Sequence, residues 1–213
     1  MEKVLLVDVD LDMKFIPHFL DFGLIIEQAN ELTKSMISWP GWSNFDPLST
    51  VIILPGNGAN IVYNYLPPEW IKTWKWQRVH AKRYWIPGQN PRIITNRIWP
   101  KRMALGINDL IILDDVISSG GTCTILRYVN LPWIPGARWH AVAWLMQNSA
   151  SLKGFSSYFS IKSVGDTKKK APINSLSTLL KDKEIASSYA RRNFLGRGQD
   201  FLDLLARINY RSR

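Results

Sequence analysis

Short apolar runs, each closed by glycine, proline or small polar residues, alternate along most of this chain with stretches of helical spacing. Val4–Val7, Val51–Leu54 and Leu110–Leu113 contain no polar residue. A strand covered on both faces must be apolar on both, so Val51–Leu54 predicts a buried strand of a parallel sheet and Leu110–Leu113 the clearest buried strand, while Val4–Val7 simply suits a strand. Arg138–Met146 predicts one more. Between these runs, Leu24–Met36 brings Leu24, Ile25, Ala29, Leu32 and Met36 near one helical face, and Ala59–Leu66 and about Thr122–Tyr128 predict further helices. Trp39–Ser49 is turn-rich. Trp76–Tyr84 reads as a single strand, Ile86–Pro91 as a Pro/Gly/Asn loop and Arg92–Ile98 as a short β-prone piece. Beyond Met146 the pattern is less regular, with a helix predicted around Leu176–Ala190 and an amphipathic one at Asp200–Ile208, whose Phe201, Leu204, Leu205 and Ile208 share a face. Alternating strand and helix predict an α/β fold with a central, mostly parallel sheet flanked by helices.

Length changes this picture little: 213 residues suit a single domain with a sizeable core. No apolar run approaches the length of a membrane helix and the first residues are acidic, so a cytoplasmic protein without a membrane partner is expected. The lone cysteine, Cys123, excludes an internal disulfide and a multi-thiolate metal site. Its place at the start of a predicted helix would favour a lowered thiol pKa, but core packing is its expected role. Charge adds more. The net +10 comes from two segments: residues 71–102 hold nine basic side chains and no acidic one, and residues 151–213 hold thirteen basic and five acidic. A field concentrated in this way attracts polyanions.

The chemistry is densest at Leu110–Thr122. An apolar strand delivers Asp114 and Asp115 at its carboxyl end, and Val116, Ile117, Ser118, Ser119, Gly120, Gly121 and Thr122 follow as a small-residue loop opening a helix. In open α/β sheets ligands bind at such strand ends. Successive backbone N–H groups at a helix start cradle phosphate, and two carboxylates accept from a diol. Phosphate beside diol describes a ribose 5-phosphate. This run resembles the 5-phosphoribosyl 1-diphosphate (PRPP) signature of the type I phosphoribosyltransferases: four apolar residues, two acids, two apolar residues, two small residues, Gly, any residue, Thr. All thirteen positions match.

The resemblance covers about residues 45–147 and implies that family's fold, with a small hood from the terminal segments, about 1–44 and 148–213. It implies a pyrophosphate-binding loop at Pro55, Gly56, Asn57 and Gly58, with Asn57 near where an arginine is common. It implies a Lys/Arg pair at Lys82 and Arg83, and a closing loop over Trp85–Pro100, with Arg92, Arg97, Lys101 and Arg102 in reach of pyrophosphate. The implied activity is Mg²⁺-dependent transfer of phosphoribose from PRPP to a nucleobase-like acceptor. Asp114 and Asp115 would hold the diol, and Lys82, Arg83 and the Pro55–Gly58 amides would stabilise the leaving pyrophosphate. Mg²⁺ would be held mainly by substrate oxygens, with Asp114 and Asp115 as the protein's contribution. A homodimer is admitted.

Hypoxanthine-guanine enzymes of this family place an aspartate where this chain has Ser118, so an acceptor needing proton relay at that point is disfavoured. A second reading makes the chain a nucleic-acid-associated regulator or effector in a nucleoprotein assembly. Trp70, Lys72, Trp74, Lys75, Trp76, Arg78, Lys82, Arg83, Tyr84, Trp85, Arg92, Arg97 and Trp99 interleave rings with cations, and Lys168–Lys170, Arg191, Arg192 and Arg197 offer a second patch. The Asp8/Asp10/Asp12 triplet fits neither a phosphotransferase motif, where Asp12 is out of place, nor a calcium loop, where Met13 replaces the turn glycine. His18, His80 and His140 have no ligand spacing.

Overall fold

The computed structural model describes residues 3–9, 15–84, 92–95, 106–148, 150–164, 174–175, 179–180, 183–194 and 196–211. Two of the apolar runs form adjacent strands of one sheet. They are β3 (Thr50–Pro55) and β7 (Asp109–Ile117), numbered after β1 (Lys3–Val9) and β2 (Phe15–Asp21), with β4 (Lys75–Val79), β5 (Ala81–Tyr84) and β6 (Arg92–Thr95) between them. With β8 (Arg138–Gln147) and β9 (Ser157–Val164) they make a five-stranded sheet in the order β4-β3-β7-β8-β9, parallel at every pairing. Leu110, Ile111, Ile112 and Leu113 are wholly buried, as strands covered on both faces require.

One face is covered by α2 (Ala29–Ile37), α3 (Gly56–Asn64) and α4 (Pro68–Thr73), and the other by α5 (Gly121–Asn130). On the first face Ala29, Leu32, Met36, Ala59 and Val62 pack against Ile52, Leu54, Ile111, Leu113 and Trp144, joined by the rings of Trp42, Phe45 and Trp74. On the second, Cys123 and Leu126 pack against Ile53, Leu110, Ile112 and Trp139. The two terminal segments meet in a separate antiparallel sheet, β10 (Asn174–Ser175) pairing with β1 and β1 with β2. The helices α6 (Lys183–Asn193) and α7 (Gly198–Arg211) share their own core of Ala186, Tyr189, Ala190, Phe194, Phe201, Leu204 and Leu205. Among the described residues no helix is long and apolar enough to cross a membrane.

Several predicted elements shift. Leu24–Met36 is two helices, α1 (Phe22–Glu27) and α2, because Gln28 leaves helical geometry at φ −90°, ψ 2°, while its side-chain oxygen accepts from Lys162 on β9. The single strand predicted at Trp76–Tyr84 is broken at His80: β4 extends the main sheet beside β3, and β5 leaves it to pair with β6. Sequence reading missed β2 and β9. The second shows the alternation of an edge strand, with Tyr158 and Lys162 exposed and Phe159 and Ile161 turned to the core. Phe159 stacks on Trp39 at 4.6 Å.

At the amino end of the sheet, polar side chains tie three strands together. Asp109 on β7 accepts two bonds of 2.8 Å from Arg138 on β8. His140, also on β8, lies 2.9 Å from Asp109 through Nε2 and 2.8 Å from Ser157 Oγ on β9 through Nδ1. Burial pushes the imidazole toward its neutral form, which fits one tautomer: Nε2–H donates to Asp109 and Nδ1 accepts from Ser157. Replacing the acid strands a buried donor, so Asp109→Ala is expected to cost about 1–3 kcal/mol. In a chain of this size that is about 2–4 °C of melting temperature per kcal/mol, read by thermal denaturation; an unchanged midpoint would show that the network adds nothing.

Candidate functional site

From β3 the chain crosses through α3 and α4 to β4 on one side; from β7 it crosses through α5 to β8 on the other. The sheet therefore grows in opposite directions from the β3–β7 pair, and α3 and α5 start from opposite faces of it. Such a reversal leaves a crevice at the carboxyl ends of the two strands, where open α/β sheets bind ligands. Asp114 and Asp115 stand there. The β3–β7 pairing ends at Ile53 opposite Ile112, so beyond it β7 pairs within the main sheet through β8. Two amides in that stretch bind carboxylates: the Asp115 N–H donates to Asp114 Oδ1 at 3.0 Å and the Val116 N–H to Asp115 Oδ1 at 2.7 Å.

Burial raises both acids above the ordinary value of 3.8, and for Asp114 the neighbouring Asp115 charge raises it further. The pair thus holds a proton more readily than free aspartates. Cys123 behaves oppositely to the lowered pKa suggested by its helix position: the thiol is buried, and burial together with Asp114 pushes it up. It is a core residue.

Ser118, Ser119 and Gly120 form the turn into α5. Gly120 has φ +77°, and a Cβ on it would lie 2.3 Å from the Ser151 carbonyl oxygen, so only glycine fits. The turn is braced from outside, since the Ser151 N–H donates to the Ser119 carbonyl at 3.1 Å and Thr124 Oγ1 donates to the Ser151 carbonyl at 3.5 Å. The Gly121 N–H donates to Ser119 Oγ at 3.4 Å. Ser118 Oγ donates to Oε1 of Gln147, a buried residue at the end of β8. Ser151 and Gln147 carry no local motif, and their part in the site follows only from the position of β8 and the segment behind it.

The expected loop at Pro55–Gly58 takes another form: Pro55 ends β3 and Gly56, Asn57 and Gly58 are already the first turn of α3. Gly58 lies against Asp115. Lys82 and Arg83 are on β5, opposite Ile94 and Ile93 of β6. This hairpin reaches the same crevice, with the Ala81 carbonyl 3.3 Å from where a Cβ on Gly56 would be and Ile93 Cδ1 3.5 Å from one on Gly121. Trp85–Asn90, Pro91 and 96–100 of the expected closing loop, with Arg97, Lys101 and Arg102, lie outside the described residues, as do Asp10, Asp12 and Lys168–Lys170.

In the basic aromatic segment Trp74 is buried, and Trp70 and Trp76 are half-buried against the same core, in a ring cluster with Trp42 and Tyr63. These three indoles are structural rather than a stacking platform. Lys72 and Lys75 are exposed, and the exposed Arg78 guanidinium sits 5.1 Å over the Tyr63 ring. Among the described residues no group of three or more His, Cys, Asp or Glu side chains is placed to hold a metal ion.

No protein-family model matches the chain, and no curated protein sequence does. Among solved structures it is similar to the Helicobacter pylori xanthine-guanine-hypoxanthine phosphoribosyltransferase, at 15% identity and a TM-score of 0.46 over 68% of this chain and 86% of that one. It is similar to the Thermoanaerobacter pseudethanolicus adenine phosphoribosyltransferase at 12% identity and TM-score 0.47, covering 74% and 94%. For the Pyrococcus horikoshii purine phosphoribosyltransferase the values are 17%, 0.45, 67% and 84%.

Two outcomes follow from the geometry. Gly120→Ala forces a Cβ against backbone in a left-handed conformation costing about 1–2 kcal/mol by itself, so it should lower the melting temperature; an unchanged midpoint would contradict the account. The acid pair has its folded pKa raised, so its favourable contribution is present below about pH 4 and fades as pH rises through the folded value. Asp114→Asn should therefore melt at a higher temperature than the wild type by a margin that grows from pH 4 upward. A margin independent of pH would refute the raised pKa.

Proposed function

We propose that this chain transfers phosphoribose from PRPP to a nucleobase-like acceptor and releases pyrophosphate. The reading rests on one observation. The two acids and the small-residue loop of the matched run lie together in the crevice of the β3–β7 reversal, beside the first turn of α3. Under this reading the 5-phosphate takes the amides and hydroxyls of the Ser118–Thr122 loop at the start of α5. The ribose hydroxyls donate to Asp114 and Asp115. As the anomeric bond to pyrophosphate breaks, positive charge grows on the ribose and negative charge on the leaving group. The acids favour the first, and the start of α3 with Lys82 and Arg83 favours the second.

Mg²⁺ fits this donor set as a shared ligand. The carboxylates of Asp114 and Asp115 would supply part of an all-oxygen shell, with substrate oxygens and water supplying the rest. Bound there, the ion would neutralise the pyrophosphate's growing charge. Its arrival would also relieve the repulsion between Asp114 and Asp115. The hydroxyl of Ser118, bonded to Gln147, offers the acceptor a neutral partner rather than a carboxylate, which suits a base that needs no proton relay at that point.

Mg²⁺ and PRPP are expected to raise the melting temperature, by the equivalent of about 2.7 kcal/mol at a hundredfold excess over Kd. Asp115→Asn should reduce that shift, and one base of a nucleobase panel should release pyrophosphate. Absence of PRPP binding by calorimetry at millimolar ligand would overturn the reading.

A further inference from the structure

Gly58 is the third residue of α3, and its Cα faces a carboxylate from the neighbouring strand. A Cβ built on it would lie 2.2 Å from Asp115 Oδ1, 2.7 Å from Cγ and 2.9 Å from Oδ2. All three atoms of the carboxyl group press on this one point, so no larger residue leaves Asp115 where it is. The carboxylate is fixed from its own strand as well, by the Val116 N–H at 2.7 Å. Asp115 is thus seated between two backbones, the end of β7 and the first turn of α3.

We infer that Gly58 is a positioning residue for Asp115: the bare backbone of α3 is the seat that aims the second acid at the ribose diol. The inference rests on the phosphoribosyl reading for the identity of what Asp115 meets. It separates the two acids, which the sequence presents as equivalent neighbours. Asp114 is oriented within β7 by the Asp115 N–H, whereas Asp115 takes its orientation partly from a helix on another strand's crossover. The start of α3 and the diol acid then move as one unit.

A role in packing alone predicts something different. The atoms a Cβ would meet are the end of a side chain with two rotatable bonds, so the carboxylate swings away and the helix stays in place. Alanine is also favoured over glycine within a helix by about 0.5–1 kcal/mol. Gly58→Ala should therefore keep the melting temperature of the unliganded protein or raise it. The same change should weaken Mg²⁺–PRPP binding by about 10- to 100-fold, the scale of a misplaced site group.

The test measures Mg²⁺–PRPP and inorganic phosphate affinities by calorimetry for wild type, Gly58→Ala, Asp115→Asn and the double variant, together with crystal structures of the wild type and Gly58→Ala. Expected are loss of PRPP affinity in Gly58→Ala, phosphate affinity within about twofold of wild type, and a double variant no weaker than Asp115→Asn, since the glycine acts through that acid. In the Gly58→Ala crystal the Asp115 carboxylate should be displaced while α3 stays in place. Wild-type affinity for PRPP in Gly58→Ala, or a double variant whose losses add, would overturn the inference. If the wild type itself binds no PRPP, the phosphoribosyl reading fails, and crystal structures of the wild type and Gly58→Ala still decide the positioning: an Asp115 carboxylate left in place by Gly58→Ala overturns it.

Discussion

Two carboxylates adjacent in sequence repel each other, and each resists being stripped of water; at the end of a central strand they incur both costs. Asp114 and Asp115 are kept in that position by structure on every side. Their strand outruns its β3 neighbour, amides in the overhang donate to the carboxylate oxygens, and a glycine in α3 clears the space that Asp115 fills. Elsewhere in the sheet Asp109 shows the ordinary solution, an arginine and a histidine against one buried acid. The crevice has no such cation bonded to its acid pair among the described residues. Acid pairs perturbed in this way cluster at functional sites.

The surrounding fold makes that arrangement durable. The five-stranded sheet fixes β3 and β7 side by side with wholly buried apolar residues, and α3 and α5 are anchored on opposite faces by Ala59 and Val62 on one side and Cys123 and Leu126 on the other. Both helix starts consequently converge on the same strand ends. The brace from Ser151 behind Gly120 and the bond from Ser118 to Gln147 carry the influence of β8 and the segment after it into the loop.

The strongest parts of this arrangement were legible because they are local. Val51–Leu54 and Leu110–Leu113 advertise buried strands by their composition alone, and the acid pair with its small-residue loop is continuous in sequence. What was not legible depends on partners far away along the chain. Nothing in Lys75–Tyr84 marks the break at His80 as the point where one strand leaves the main sheet, and nothing near Gly58 announces a carboxylate from β7. The tryptophans between residues 70 and 76 suggested a surface for stacking because rings interleaved with cations look the same on a nucleic-acid interface and on a core edge. Burial of Trp74 beneath Trp42 and Trp70 decides their place. β9 escaped notice because an edge strand carries polar residues at every second position.

Phosphorus-31 NMR of PRPP with Mg²⁺, recorded as the protein is added, addresses the central claim most directly, because the 5-phosphate and the pyrophosphate give separate signals. If the crevice holds a phosphoribosyl group between the starts of α3 and α5, both sets of signals shift or broaden together on addition of the wild-type protein. Spectra that stay those of free PRPP at millimolar protein would contradict it.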